Sequence, residues 1–334
     1  MHPPLTGYFT VLAHKGRSAT TLKMVRQELT TFGRWWQEYT CRPFDPSLVR
    51  PDDIRLWCQG RQRLDHAPTT INKGLAVLRG YFGWLEREQV VSFSPMADLP
   101  DLPIQPLAPR SLPPAAIDAL LREVQGEPDR TLRRRNTAIL AVLVYAGLRV
   151  QEVCDLQLCD LDVSADTLLV RHGKAGKARR IPLHPSAVRI LQDYLRNVRC
   201  PEGVPPVGSA AERHSIWVGR TMTTAGQPWT EGVDQRLIQR LIKGLGQAAA
   251  RRLCALTTVE GDLTRQQELS DLARQLGAVT PHMLRHSLAK RMLERGAQLT
   301  EIQRILGHSR LETTARYVTP SEEDLRVALL KAGV

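Results

Sequence analysis

Nowhere in its 334 residues does the chain hold an apolar run approaching the roughly 20 residues that a helical bilayer crossing needs. The opening MHPPLTGYFT has no basic stretch followed by an apolar segment, so no secretory signal is expected and the cytoplasm is the expected compartment. Cys41, Cys58, Cys154, Cys159, Cys200 and Cys254 form no CxxC pair and have no histidines at zinc spacing. Scattered structural thiols in a reducing compartment are therefore expected. No internal repeat is present, and no carboxylate cluster of the kind that holds two magnesium ions stands out. What is present is an ordinary globular balance, 42% hydrophobic and 24% charged, at a length that suits two domains.

Charge is the first positive signal. The net charge is +12, made of +4 over residues 1–100 (13 Lys+Arg against 9 Asp+Glu) and +8 over the rest (33 against 25). Both parts are basic, and no single tail carries the excess. Such a chain favours a polyanionic partner and meets it quickly.

The first hundred residues read as helices. Leu22, Val25, Leu29, Phe32, Trp36 and Tyr39 recur at steps of three and four within Ser18 to Tyr39. Pro51 opens a shorter helix, and Thr69 or Thr70 is placed to cap a longer one through Leu85. Arg26, Arg34, Lys73 and Arg79 fall on polar faces, as solvated charge or as contacts to a polyanion. Six prolines between residues 98 and 114 mark a stiff linker. The expected divisions are a helical domain over 1–97, a linker over 98–113 and a second domain over 114–334.

The second part is mixed. Helices are expected from Pro114 to Val124 and from Leu132 to Tyr145, the latter ended by Gly147. Asp166–Val170 and Ala178–Leu183, joined by RHGKAGK, read as a β-hairpin. Helices resume over Ala187–Val198 and Gln235–Arg252. Thr280 and Pro281 start another that stops before Gly296, and a short one is capped by Thr300 and closed by Gly307. Leu311–Val318 and Ser321–Ala332 complete the helical reading.

Three short segments carry chemistry. In TPHMLRHSLAKRMLERG, His282 and Arg285 share a helix face near its N-terminus, where free N–H groups and the dipole favour an anionic oxygen. The plainer reading is a solvent-facing basic patch. In AGLRVQEVCDL, Arg149 is placed to clamp a phosphate and Glu152 to hold it; the plainer reading is a surface ion pair. In LGHSRLETTARYV, Tyr317 follows His308 by nine residues. A phenol with a pKa near 10 attacks phosphate only if its proton is accepted and the anionic charge is neutralised.

Taken in order, GLRxxE, GKxGKxRxIPL, HxLRH, LGH and a tyrosine nine residues on resemble the tyrosine recombinase (phage integrase) family, including the Xer recombinases, over roughly residues 112–334. The resemblance implies a mainly α fold with a small β-sheet. It implies a two-domain C-shaped clamp, with an all-helical SAM-like core-binding domain and a mixed α/β catalytic domain. It also implies the roles. Tyr317 is the nucleophile, leaving a 3′-phosphotyrosyl bond and a free 5′-OH. Arg149 and Arg285 stabilise the pentacoordinate phosphate, His282 is the general base and His308 a phosphate hydrogen-bond donor. Lys174 protonates the leaving oxygen, although Lys177 and His172 share its loop. Glu152 is the supporting acid. No cofactor and no metal are called for, because the phosphotyrosyl link stores the bond energy. The implied partners are double-stranded recombination sites with inverted repeats around a short spacer. Self-association is to a dimer on one site and a tetramer at synapsis, in the cytoplasm with the nucleoid.

Residues 246–279 run about twenty longer than compact members of that family, with helical, mixed-charge composition. They are an added protomer or DNA contact, or an inert insertion. Leu325, Val327, Leu329 and Leu330 form an apolar face suited to docking on a neighbour or on their own domain. The rival activities are a type IB topoisomerase, a non-catalytic DNA-binding regulator and a metal-dependent nuclease. The expected lack of an extra arm-binding domain favours simple core sites. Integration, excision, resolution and transposition all fit the motifs.

Overall fold

The computed structural model describes residues 3–104, 111–171, 178–206, 208–219, 230–257 and 260–307, which form two compact units dividing between residues 107 and 108. Among the described residues, no helix is long and apolar enough to cross a membrane. All six cysteines are free thiols.

The first unit is helical: α1 (Pro3–His14), α2 (Ala19–Thr40), α3 (Pro51–Arg63) and α4 (Pro68–Arg87). Ser18 caps α2, its hydroxyl accepting from the Thr21 amide at 3.2 Å. The stripe Val25, Leu29, Phe32 and Trp36 is buried. Phe32 meets Trp57 edge-on at 5.5 Å and Phe82 at 6.4 Å, so the rings interlock three helices. α4 begins earlier than the threonines suggest. Pro68 takes the first helical position after Ala67, because its fixed φ suits that turn and its missing N–H costs nothing there. The Pro-rich stretch also starts as part of this unit. Asn72 donates to the Leu102 carbonyl and accepts from its amide, both at 2.8 Å, and Arg79 donates to the Leu99 carbonyl at 3.0 Å. α1 has little apolar periodicity to betray it, yet its Tyr8 packs on Tyr81 and Trp84.

The second unit opens with α5 (Pro114–Glu123) and α6 (Arg130–Ala141), the latter capped by Asp129. A wider-turn segment, Val142–Ala146, carries α6 on to Gly147, which ends it in the left-handed region at φ 61°. A Cβ at Gly147 would sit 2.8 Å from methyls of Leu288 and Leu306, so both conformation and space require glycine. After α7 (Val150–Cys154) comes an antiparallel sheet, β1 (Leu161–Asp162), β2 (Thr167–Val170) and β3 (Arg179–Pro182), with Leu168 opposite Ile181. The hairpin is as expected, and β1 is too short to leave a pattern in the sequence. Leu168, Val170 and Ile181 turn inward.

Next come α8 (Pro185–Tyr194), the two-residue strands β4 (Val218–Gly219) and β5 (Thr230–Glu231), α9 (Gln235–Thr257) and α10 (Leu263–Gly277). Within residues 246–279, Ala249 on α9 and Leu276 and Val279 at the far end join the main core. A Cβ at Gly246 would sit 2.3 Å from the Leu276 carbonyl oxygen, so the two helices cross at close range. The segment is therefore anchored to the core at both ends, while much of it between Arg251 and Leu272 faces solvent. α11 (Pro281–Glu294) starts at Thr280 as expected. α12 (Leu299–Leu306) is entered through Gln298, not Thr300: Glu301 reaches back to accept from the Gln298 amide at 2.8 Å. Gly307 closes α12 with φ 66°. Residues 311–332 lie outside the described residues.

Candidate active site

The site is assembled around one carboxylate. Glu152 sits in the first turn of α7 and is 5% exposed, so the surface ion pair that its spacing with Arg149 permits is not what forms. It accepts the Arg149 amide at 2.9 Å and the Arg149 guanidinium at 2.8 Å. From β3, Arg179 adds a two-point grip, donating at 3.0 and 2.9 Å to the two carboxylate oxygens. Arg285 of α11 stands 4.0 Å away. Burial would raise the Glu152 pKa. The hydrogen bonds from Arg179 and Arg149, with their charges, outweigh burial and hold the carboxyl below the usual range. Three guanidiniums against one carboxylate leave an excess of two positive charges, which suits an incoming anion.

The C-terminus of α12 is bound into the same cluster. The Ile305 carbonyl accepts from Arg179 Nε at 2.9 Å, Leu306 from Arg285, and Gly307 from Arg149 at 3.1 Å. These are the last carbonyls of the helix, which have no partner within it and carry the negative end of its dipole. Arg285 also donates to the Gly147 carbonyl. Arg285 is only 3% exposed, so it is not part of a solvent-facing basic patch. The reason lies on both sides of α11: Met283 and Leu284 are buried, and the arginine is buried as well because backbone carbonyls receive its donors. Arg149 keeps 26% of its side-chain surface accessible.

His282 lies three residues before Arg285 on α11 and is exposed. Its pKa is lowered by partial desolvation first, then by the charges of Arg285 and Arg149. That shift favours the neutral imidazole, the form able to accept a proton. One turn on, His286 is pushed down to about 4 by burial and by His282 and Arg285. The structure brings together Arg149, Glu152 and Arg285 and sets His282 beside the two arginines. Lys174, His308 and Tyr317, with His172 and Lys177, lie outside the described residues. Arg179, the arginine within GKxGKxRxIPL, received no role from sequence reasoning. Its position at the foot of the hairpin was legible, but its partner was not.

The phage integrase family model matches residues 110–324, and the phage integrase N-terminal SAM-like domain matches residues 5–89. The first match alone spans well over half of the chain. The chain belongs to the phage integrase family. Tyrosine recombinase XerC of Mesorhizobium japonicum is 32% identical, over 82% of this chain and 75% of its own. XerC of Bacillus pumilus is 29% identical, over 93% and 90%. The fold resembles the Tn1549 transposon integrase solved with transposon right end DNA, at TM-score 0.65, 18% identity and 99% coverage of both chains. The family member described here is accordingly a site-specific tyrosine recombinase, an enzyme that cleaves and rejoins DNA strands.

Proposed function

We propose that this recombinase cuts duplex DNA with Tyr317 and conserves the bond energy as a 3′-phosphotyrosyl link. The observation that carries the reading is the convergence of Arg149 and Arg285, from two distant sequence motifs, on the end of α12 just before His308 in sequence, with Glu152 against both arginines. In the proposed step the Tyr317 oxygen bonds to phosphorus while the bond to the 5′-oxygen breaks. His282 takes the tyrosine proton, and Lys174 gives one to the leaving oxygen. Arg149 and Arg285, with His308 donating, neutralise the non-bridging oxygens as charge builds. Religation is the same step reversed, so no ATP is consumed.

The proposed partners are two duplexes carrying inverted repeats around a short spacer, held by a dimer on each site and a tetramer at synapsis. The basic charge of both parts of the chain supports rapid, salt-sensitive encounter with such duplexes. The C-terminal segment carrying Leu325 and Leu329 is proposed to dock on a neighbour, and the cytoplasm is the proposed compartment.

The test is covalent capture. Duplexes with inverted repeats from the DNA flanking the gene are nicked in the spacer and incubated with protein in EDTA. The expected product is a protein–DNA adduct whose peptide map places the nucleotide on residue 317, absent from Tyr317→Phe. An adduct elsewhere, or cleavage lost in EDTA, rejects the mechanism. Relaxation of supercoiled DNA lacking such sites by monomeric protein would favour a topoisomerase instead.

A further inference from the structure

One side chain joins three of the sequence motifs, lying in one and packing against two others, and it is not one that makes the phosphate site by itself. Arg179 opens β3, five positions after Lys174 in the sequence. Each of its nitrogens is committed: Nη1 and Nη2 to the two Glu152 oxygens and Nε to the Ile305 carbonyl. Its side chain is 10% exposed, and that of Glu152 only 4%. Three of its five N–H groups are thus engaged and little of its side chain is accessible, so it presents to a substrate a smaller edge than Arg149, which is 26% exposed.

Gly307 confirms how closely the guanidinium is seated. A Cβ there would fall 2.8–2.9 Å from Arg179 Nη1, Cζ and Nε, and the backbone holds φ 66°. The chain thus passes the guanidinium with only a hydrogen in between, and the next residue is His308. Glu152 in turn holds Arg149, by the amide and the guanidinium together. Arg179 therefore links the start of β3, the carboxylate that orients Arg149 and the end of α12, the helix that precedes His308 in sequence.

We propose that Arg179 is a positioning residue for the cleavage step, acting through Glu152 and the α12 C-terminus and not by contact with DNA. The inference rests on the recombinase reading above. Only arginine fits it: three coplanar N–H directions serve a carboxylate and a carbonyl together, whereas a lysine ammonium is a point charge on a flexible stem.

The experiment is single-turnover adduct formation on the suicide duplex by full-length wild type, Arg179→Lys and Arg179→Gln, with DNA affinity and thermal melting recorded for each. A displacement of about an ångström in a catalytic group costs on the order of 100-fold, and that loss is expected for both variants. DNA affinity is expected to stay within about threefold of wild type, because the lost contact belongs to the transition state and not to binding. Combining Arg179→Gln with Glu152→Gln is expected to lower the rate no further than the worse single variant, since both cut the same link.

Arg179→Lys at wild-type rate overturns the proposal while leaving the recombinase assignment intact. Losses that multiply in the double variant, or affinity falling in step with rate, overturn it too, the latter making Arg179 a DNA contact. If both single variants are unfolded at the assay temperature, Arg179 is a fold residue and the proposal falls. If wild type forms no adduct at Tyr317, the recombinase mechanism and this inference fall together.

Discussion

The two units build their interiors from different materials. Among the described residues, seven polar or charged side chains are buried. Only Asn72 belongs to the first unit, while Arg135, Asn136, Glu152, Asp160, Arg285 and Ser287 belong to the second. The first unit closes on interlocking rings, Phe32, Trp36, Trp57, Tyr81 and Phe82. The second closes mainly on Leu, Ile, Val and Ala, with Tyr194 and Trp217 as its fully buried rings, and wraps that core around fixed charge. Buried ion clusters are poor stabilisers, because desolvation consumes most of their attraction. Their place in the unit that does the chemistry is explained by what they hold in position.

The sharpest way to break that contrast is to remove one carboxylate from each unit. Glu152→Ala leaves buried Arg179 with only the Ile305 carbonyl and withdraws the countercharge beside Arg285, and is expected to cost about 3–5 kcal/mol, with cleavage abolished. Glu28→Ala removes the partner of Arg61, which still lies over the Trp57 ring at 4.3 Å, so the expected loss is nearer about 1–2 kcal/mol. Urea unfolding of both variants decides it. Equal losses would show that the two units use charge alike.

Two glycines give the next contrast. Gly307→Ala forces a left-handed alanine against Arg179. It is expected to cost about 1–2 kcal/mol in strain and roughly tenfold in cleavage rate. At Gly74 a Cβ would meet Trp57 at 2.6 Å, so Gly74→Ala overpacks the aromatic core by about 1–3 kcal/mol. Its cleavage rate on saturating DNA is expected to be unchanged. A slowed Gly74→Ala, or a full-rate Gly307→Ala, contradicts the division of labour.

That division was only partly legible in the sequence. The stripe of α2, the Thr280–Pro281 start and the Gly147 and Gly307 stops all follow from local rules that hold before any tertiary contact forms. Arg149, Glu152 and Arg285 were legible as an ordered set of motifs. What could not be read is partnership across distance. Nothing local says that Arg179 grips Glu152, 27 positions earlier, or that three arginines divide the last carbonyls of α12. Burial of Arg285 is not readable locally for the same reason, since its carbonyl partners come from Gly147 and Leu306. The caps of α4 and α12 were missed where a proline or a returning glutamate outcompeted the nearest threonine.

The histidines of α11 extend the contrast to pH. His282 and His286 both have folded-state pKa values below the ordinary 6.5, His286 at about 4. Below pH 6.5 the unfolded chain therefore binds more protons, so their contribution to stability is complete above that pH and lost as pH falls toward 4. Solvent at the edge of the site limits the effect to about 1 kcal/mol between pH 7.5 and 5. Replacing His286 with Gln is expected to flatten the pH dependence of urea unfolding by most of that amount, because its pKa is displaced further than that of His282. NMR titration is expected to place His282 below 6.5 and to move it upward in Arg149→Gln, which removes one of the charges opposing protonation.

The smallest expected effect isolates burial from spacing. Arg55 and Asp52 on α3 are paired three residues apart at 2.6 Å, shorter than the 2.8 Å of Arg149 and Glu152 at the same separation. Distance and sequence spacing would rank the α3 pair higher. Exposure reverses the order: 55% and 79% for Arg55 and Asp52, against 26% and 4% for the pair in the site. Water and salt screen the first pair, and ordering two long side chains offsets what attraction remains. Arg55→Ala is accordingly expected to change unfolding stability by less than about 0.5 kcal/mol, with no dependence on salt beyond that of wild type. A loss above about 1 kcal/mol would put this exposed pair level with the part-buried Arg61–Glu28 pair, and burial would then not be what ranks the ion pairs.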